Sequence, residues 1–145
     1  MKAFEATTVI QAKPERIWSI LTDARGYIDW DSGVARIEGR IAAGESIKLE
    51  SKAAPGRPFS IRVTEFDPPR RMVWSGGMPI TSLFAGLRTF TLTPEGDGTR
   101  YSMREEYTGL LLPLIWKSMP DLEQPFRQWA AGLKSHAEEK AASVG

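Results

Sequence analysis

The chain has 145 residues, 19 basic against 18 acidic for a formal charge of +1, with 41% hydrophobic and 26% charged residues, which excludes a disordered or fibrous polymer. A chain of this length buries about two-thirds of its unfolded surface, so residues 1–145 are expected to form a single domain without a staple. The Lys and Arg residues form no stripe, which argues against a nucleic-acid partner, and the absence of cysteine removes disulfides, thiol nucleophiles and thiolate metal sites.

The opening MKAFEATTVIQA alternates polar and apolar instead of presenting the continuous apolar core of a signal peptide. Phe4, Ala6, Thr8 and Ile10 fall on one face, the period of a strand. Lys13-Pro14-Glu15-Arg16 then sets proline and an acid at a helix start, with Ile17, Trp18, Ile20 and Leu21 as its apolar side. Asp23 to Ile28 reads as a second short helix or turn leading to the Asp29-Trp30-Asp31 corner.

From Val34 the turn signals become dense. Val34 to Arg40, Ser46 to Ser51, Phe59 to Phe66, Met72 to Gly76, Leu87 to Thr93 and Thr99 to Thr108 read as six further strands. Their connections are short, which favours an antiparallel meander. If Gly96-Asp97 is the tip of the last hairpin, Leu92 faces Tyr101, Phe90 faces Met103 and Arg88 faces Glu105, and the alternation continues to Tyr107. The apolar pairs mark the inner face, so Arg88 and Glu105 also point inward.

In a meander, alternate connections gather at one rim. Here that rim receives Ala53 to Arg57, Gly76 to Gly86 and Gly109 to Met119, the last two unusually apolar. They read either as the mouth of a hydrophobic pocket or as plugs that close the end of a core. The longest apolar run, Gly109 to Trp116, is far too short to cross a bilayer, so a cytoplasmic protein with no transmembrane segment is expected.

Asp121 to Ala141 is an amphipathic helix. Leu122, Phe126, Trp129, Ala130, Leu133 and Ala137 make one apolar face, and Glu123, Arg127, Lys134, Glu138 and Glu139 the other. Such a helix needs a large concave surface, which a curved sheet supplies. Pro113, Pro120 and Pro125 punctuate its approach; Pro120 opens or kinks a segment, Pro125 fits a first turn, and Leu111 to Met119 is either a lid or part of a bent helix.

This order of elements resembles the helix-grip fold of the SRPBCC superfamily, which includes START lipid-transfer domains, the birch pollen allergen and polyketide cyclase/dehydratase-type proteins. Local matches are Ala12 to Trp18, Trp30, Asp67-Pro68-Pro69-Arg70, Phe90, Gly98-Thr99, Glu105 to Gly109 and Gly132-Leu133-Lys134. The expected class is therefore α+β: a curved seven-stranded antiparallel sheet wrapped around a long C-terminal helix, with two short helices between strands 1 and 2. The resemblance implies a cavity between sheet and helix for a hydrophobic or aromatic small molecule, lipid or polyketide-like. It is closest to the polyketide cyclase/dehydratase-type members, and fold alone does not carry a reaction.

Arg88 and Glu105 are the candidate chemistry. An inward guanidinium can hold a carboxylate or enolate, and a desolvated Glu105 can act as acid or base; equally, the two can form a structural ion pair. Trp74, Met78, Phe84, Phe90, Met103, Tyr107, Trp116, Phe126 and Trp129 are candidate ligand-binding walls, which ordinary core packing also explains. His136 is the sole histidine and reads as a solvated helix residue, so no metal and no cofactor is expected. Three functions follow: binding of a hydrophobic small molecule by a monomer or homodimer, a cyclase or dehydratase using Glu105 and Arg88, or docking to a protein or membrane through the rim, depending on Phe84 and Trp116.

Overall fold

A computed structural model describes residues 2–77, 80, 82–117 and 121–144, with side chains described as far as Glu139. Seven strands form one antiparallel sheet: β1 (Lys2–Ile10), β2 (Val34–Glu38), β3 (Ser46–Ser51), β4 (Phe59–Asp67), β5 (Arg71–Gly77), β6 (Ala85–Glu95) and β7 (Gly98–Thr108), in the spatial order β1-β7-β6-β5-β4-β3-β2. Between β1 and β2 lie α1 (Pro14–Leu21) and a short 3₁₀ turn, Arg25–Asp29; after β7 come α2 (Leu112–Trp116) and the long α3 (Glu123–Val144). This is the helix-grip architecture that the element order implies.

The β6–β7 hairpin has the expected register, with Glu95 opposite Gly98, Phe90 opposite Met103 and Arg88 opposite Glu105. The strand expected to run to Arg40 stops at Glu38, because Gly39 takes φ +104°, outside the extended region. The first strand pairs with the last, from Lys2 opposite Tyr107 to Ile10 opposite Thr99, so β1 and β7 lie side by side although they are farthest apart in strand sequence. Irregularities between Val34 and Arg36 and between Val63 and Glu65 shift the register, the kind of local extra residue that bends a sheet.

Helix α3 lies in the concavity. Phe126, Trp129, Ala130, Leu133 and Ala137 are all buried against a core that includes Ile10, Trp74, Phe90 and Met103. Burying each large side chain contributes roughly 1.5–3 kcal/mol. The helix begins two residues after the expected Asp121, at Glu123, whose N–H is accepted by Asp121 Oδ1 at 3.0 Å. Pro125 falls in its first turn, where a missing N–H costs no intrahelical bond; Pro120 lies outside the described residues.

Polar contacts fix the far half of the helix. Lys134 Nζ donates to the Val9 carbonyl at 2.7 Å, and the Gln11 N–H donates to Glu138 Oε2 at 2.8 Å. At Gly132 the helix approaches the Asp31 main chain so closely that a Cβ would collide with the Asp31 carbonyl.

Two stability predictions follow from this docking. In an open helix Gly132→Ala would gain about 1 kcal/mol of propensity; here the collision with rigid backbone outweighs that, and the variant is expected to lose roughly 1–3 kcal/mol in denaturant melts. The Gln11 N–H, with Lys134 second, holds Glu138 below its ordinary carboxylate pKa. A lowered folded value stabilises above the unfolded value of about 4.3 and is lost as the pH falls through it. Glu138→Gln should therefore cost about 1 kcal/mol at neutral pH, and melts of variant and parent should converge below pH ~4.

Candidate functional site

The alternation of β6 and β7 sends Gly86, Arg88, Phe90 and Leu92 from one strand, and Tyr101, Met103, Glu105 and Tyr107 from the other, into the concavity. Arg88 and Glu105 are the ionised pair within it, their side chains only 17% and 15% exposed. Arg88 Nε donates to Glu105 Oε1 at 3.2 Å and Arg88 Nη2 to Oε2 at 3.4 Å, one edge of the guanidinium against the whole carboxylate. The Tyr107 hydroxyl donates a short hydrogen bond to the same Oε2. The Tyr107 ring crosses the neighbouring strand at Gly86, where a Cβ would lie 3.2 Å from Tyr107 Cε1 and crowd the ring.

The electrostatics follow from this geometry. Burial works against the Arg88 charge, yet Glu105 and then Tyr107 outweigh it and hold the guanidinium above its ordinary pKa. Tyr107 is pushed well up, first by burial and then by the Glu105 carboxylate, so its hydroxyl stays a donor. The guanidinium carbon lies over the Phe126 ring, 4.8 Å from its centroid, and over Trp129, 5.3 Å from its centroid.

Around the trio the aromatic residues divide into two groups. At mid-helix, Trp129 meets Tyr27 at 5.3 Å, Trp30 at 5.8 Å, Phe90 at 6.0 Å and Trp74 at 6.3 Å between centroids, and Trp74 meets Phe90 at 4.7 Å. This group is packed ring on ring. Within it, Trp74 Nε1, Trp129 Nε1 and the Tyr101 hydroxyl are buried without a hydrogen-bond partner. Trp129 Nε1 lies beside the Tyr101 oxygen without reaching hydrogen-bond geometry, and burial pushes the Tyr101 phenol well above its usual pKa.

Nearer the rim a looser group forms. Phe4 stacks on Trp116 at 5.5 Å, meets Tyr107 edge-on at 6.2 Å and lies 6.0 Å from Phe126, while Phe84 stacks on Tyr107 at 6.0 Å. Phe4, Phe84 and Trp116 are only half-buried. The rim loops are tied together by Leu110 N–H to Ser82 O at 3.0 Å and Leu111 N–H to Leu83 O at 2.9 Å.

Ten of the eleven candidate wall and anchor residues are therefore accounted for: Trp74, Phe90, Met103 and Trp129 in the packed interior, Phe84, Tyr107, Trp116 and Phe126 towards the rim, and Arg88 and Glu105 between them. Met78 lies outside the described residues. The rings of Phe84 and Trp116, candidates for the pocket wall and, in the docking alternative, for the rim face, lie against Tyr107. The residue missing from the expectation is Phe4, whose place on the inward face of β1 was readable from its alternation but whose closeness to Trp116 depends on β1 pairing with β7.

Two concavities lie away from this site. One of about 430 Å³ on the outer sheet face includes Arg71 and Arg104, whose charges are paired with Glu65, Glu106 and Glu5. The other, about 230 Å³, runs beside α3 and is lined by Asp29, Trp30, Asp31 and the half-buried His136.

A curved sheet gripping one helix, with a buried polar cluster between them, defines an SRPBCC helix-grip domain. The chain belongs to the family described as polyketide cyclase / dehydrase and lipid transport, which matches residues 1–138. No curated protein matches it in sequence. Among solved structures, a hypothetical protein from Helicobacter pylori superposes with a TM-score of 0.74 at 14% identity, covering 94% of this chain and 88% of that one. The Aha1 dimer from Colwellia psychrerythraea gives 0.73 at 19% identity over 95% and 97% of the two chains. The di-domain ARO/CYC protein StfQ of the steffimycin biosynthetic pathway gives 0.72 at 16% identity, with 97% of this chain matching 52% of that one. At these identities the likeness is one of fold.

The paired geometry predicts a non-additive cycle. Arg88→Met leaves a buried carboxylate with Tyr107 as its only remaining partner and should cost about 3–5 kcal/mol. The double variant Arg88→Met/Glu105→Leu should be more stable than Arg88→Met alone when urea midpoints are compared, whereas additive losses would show that the two side chains act separately.

Proposed function

We propose that this chain binds a hydrophobic, ring-containing small molecule, polyketide-like or lipid, at the rim end of the space between sheet and helix. The observation that carries the reading is the Arg88–Glu105–Tyr107 network standing inside an aromatic shell that loosens towards one rim. The ligand displaces Trp116 and Phe84 from Tyr107 and takes their place against Phe4, Phe126 and the aliphatic part of Arg88. Family membership supports the same class of ligand. The protein acts in the cytoplasm as a single domain, monomeric or homodimeric.

Binding is favoured over catalysis by the state of Glu105. Three of the roughly four lone-pair sites of its carboxylate already accept hydrogen bonds, one on Oε1 from Arg88 and two on Oε2 from Arg88 and Tyr107, which leaves about one site to take a proton from a substrate. A cyclase or dehydratase role for Glu105 is confined to the second lone pair of Oε1 unless the ligand breaks that network.

Native mass spectrometry of the purified chain, with extraction of any retained molecule, tests the reading directly. Tryptophan quenching by anthraquinone-2-carboxylate, a flat aromatic acid with ring carbonyls, supplies an affinity. Phe126→Ala is expected to weaken binding about tenfold or more through lost apolar contact, and Glu105→Gln by less. A chain that retains nothing and is not quenched overturns the proposal; turnover that disappears in Glu105→Gln while affinity persists transfers it to the enzymatic reading.

A further inference from the structure

Of the six large apolar side chains exposed among the described residues, four gather at one rim; Ile28 and Leu87 are the others. Phe59, Ile80, Leu110 and Leu114 are 55%, 60%, 79% and 72% exposed, and all four belong to the rim where β3, β5 and β7 end. Phe59 opens β4 directly after the first rim loop. Leu110 and Leu114 lie one turn apart, since the Leu114 and Ile115 N–H groups both reach the Leu111 carbonyl, at 3.1 and 3.0 Å. The Leu83 N–H bonds to Ile80 O at 3.1 Å and the Leu110 N–H to Ser82 O at 3.0 Å, which brings Ile80 to the same place.

Charge is segregated with them. The rim segments 51–58, 76–87 and 109–117 contain no Asp or Glu, and together with Lys2 they carry Lys52, Arg57 and Lys117. The remainder of the chain has 15 basic residues against 18 acidic. All four rim cations are exposed, and among the described residues none is paired with a carboxylate; Lys2 instead lies 5.4 Å over the Trp116 ring. On the outer sheet face, by contrast, Arg71 and Arg104 are both neutralised by glutamates.

We propose that this rim docks on the surface of an anionic lipid bilayer. Leu110 and Leu114, with Ile80 and Phe59, enter the boundary between headgroups and acyl chains, which lies about 5–10 Å deep. Lys2, Lys52, Arg57 and Lys117 meet anionic headgroups. The apolar side chains stand on separate loop tips around the rim, an arrangement that a fluid interface accommodates without a matching rigid groove. Each cation near such a surface strengthens attachment about fivefold, and no rim carboxylate opposes it. Docking is peripheral, since no helix among the described residues is long and apolar enough to cross a membrane. It does not depend on which ligand the interior takes.

Co-sedimentation of the purified chain with phosphatidylcholine vesicles, with and without about 30% phosphatidylserine, tests the proposal. The expected result is binding to the anionic vesicles, at least about tenfold weaker binding to neutral ones, and release as NaCl rises from about 0.1 to 0.5 M. Lys52→Glu/Arg57→Glu should weaken attachment by about 25-fold or more, and Leu110→Ser/Leu114→Ser by about tenfold. Thermal melts of both variants should match the parent, because all four positions are exposed. No sedimentation at millimolar lipid, equal binding to neutral and anionic vesicles, or variants that bind like the parent would overturn it. So would retention of a soluble protein by the same leucines in a chain that ignores vesicles.

Discussion

The Arg88 guanidinium is bonded along one edge to Glu105 and lies over the rings of Phe126 and Trp129, so a single cation joins β6, β7 and α3. Taking that charge out of water costs several kcal/mol, and only the complete set of partners offsets it. The consequence is positional. A helix held by apolar contact alone can slide along a smooth concave sheet, but Phe126 and Trp129 must flank a guanidinium whose own place is fixed by strand register. Further along, Gly132 against the Asp31 main chain and Lys134 on the Val9 carbonyl set the same helix a second and third time.

Much of this architecture can be read in the sequence, for identifiable reasons. The last hairpin has a short turn at Gly96-Asp97 and strict alternation on both strands, so local rules determine its pairing and place Arg88 opposite Glu105. The spacing of Phe126, Trp129 and Leu133 determines the buried face of α3 just as directly. What local rules do not reach is the pairing of β1 with β7, which joins residues about a hundred positions apart, and the two register shifts that curve the sheet. No turn signal marks those shifts, because the extra residue in each sits inside an otherwise regular strand.

The site was legible in part for the same reason. Inward direction follows from alternation, and Arg88, Glu105 and Tyr107 were all placed on the inner face by it. Their connection was not, because the Tyr107 hydroxyl reaches back to Glu105 with its ring lying across Gly86, a relation between neighbouring strands. Trp116 and Phe84 show the opposite limit. Their apolar run on the rim gave no direction, and the structure turns both rings inward onto Tyr107 while Leu110 and Leu114 remain outside.

The two ends of the sheet are chemically unlike, and that difference orients the molecule. At the end where β7 begins, the buried Thr99 hydroxyl donates to the Ala12 carbonyl at 2.7 Å, Glu138 accepts from Gln11, and Lys134 satisfies Val9. Gly98 there lies so close to the Ile10 carbonyl that only hydrogen fits. Polar main-chain groups are thus answered one by one, and the far half of α3 is sewn to the sheet. At the other end the rings of Phe4, Phe84, Tyr107 and Trp116 rest on one another through apolar contact, beside a short helix and its lead-in that carry the exposed Leu114 and Leu110. Such contacts are non-directional and can be remade with another apolar body, whereas a hydrogen bond to a buried carbonyl cannot be exchanged without leaving it unpaired. Rearrangement is therefore cheapest at the rim beneath which Arg88, Glu105 and Tyr107 stand.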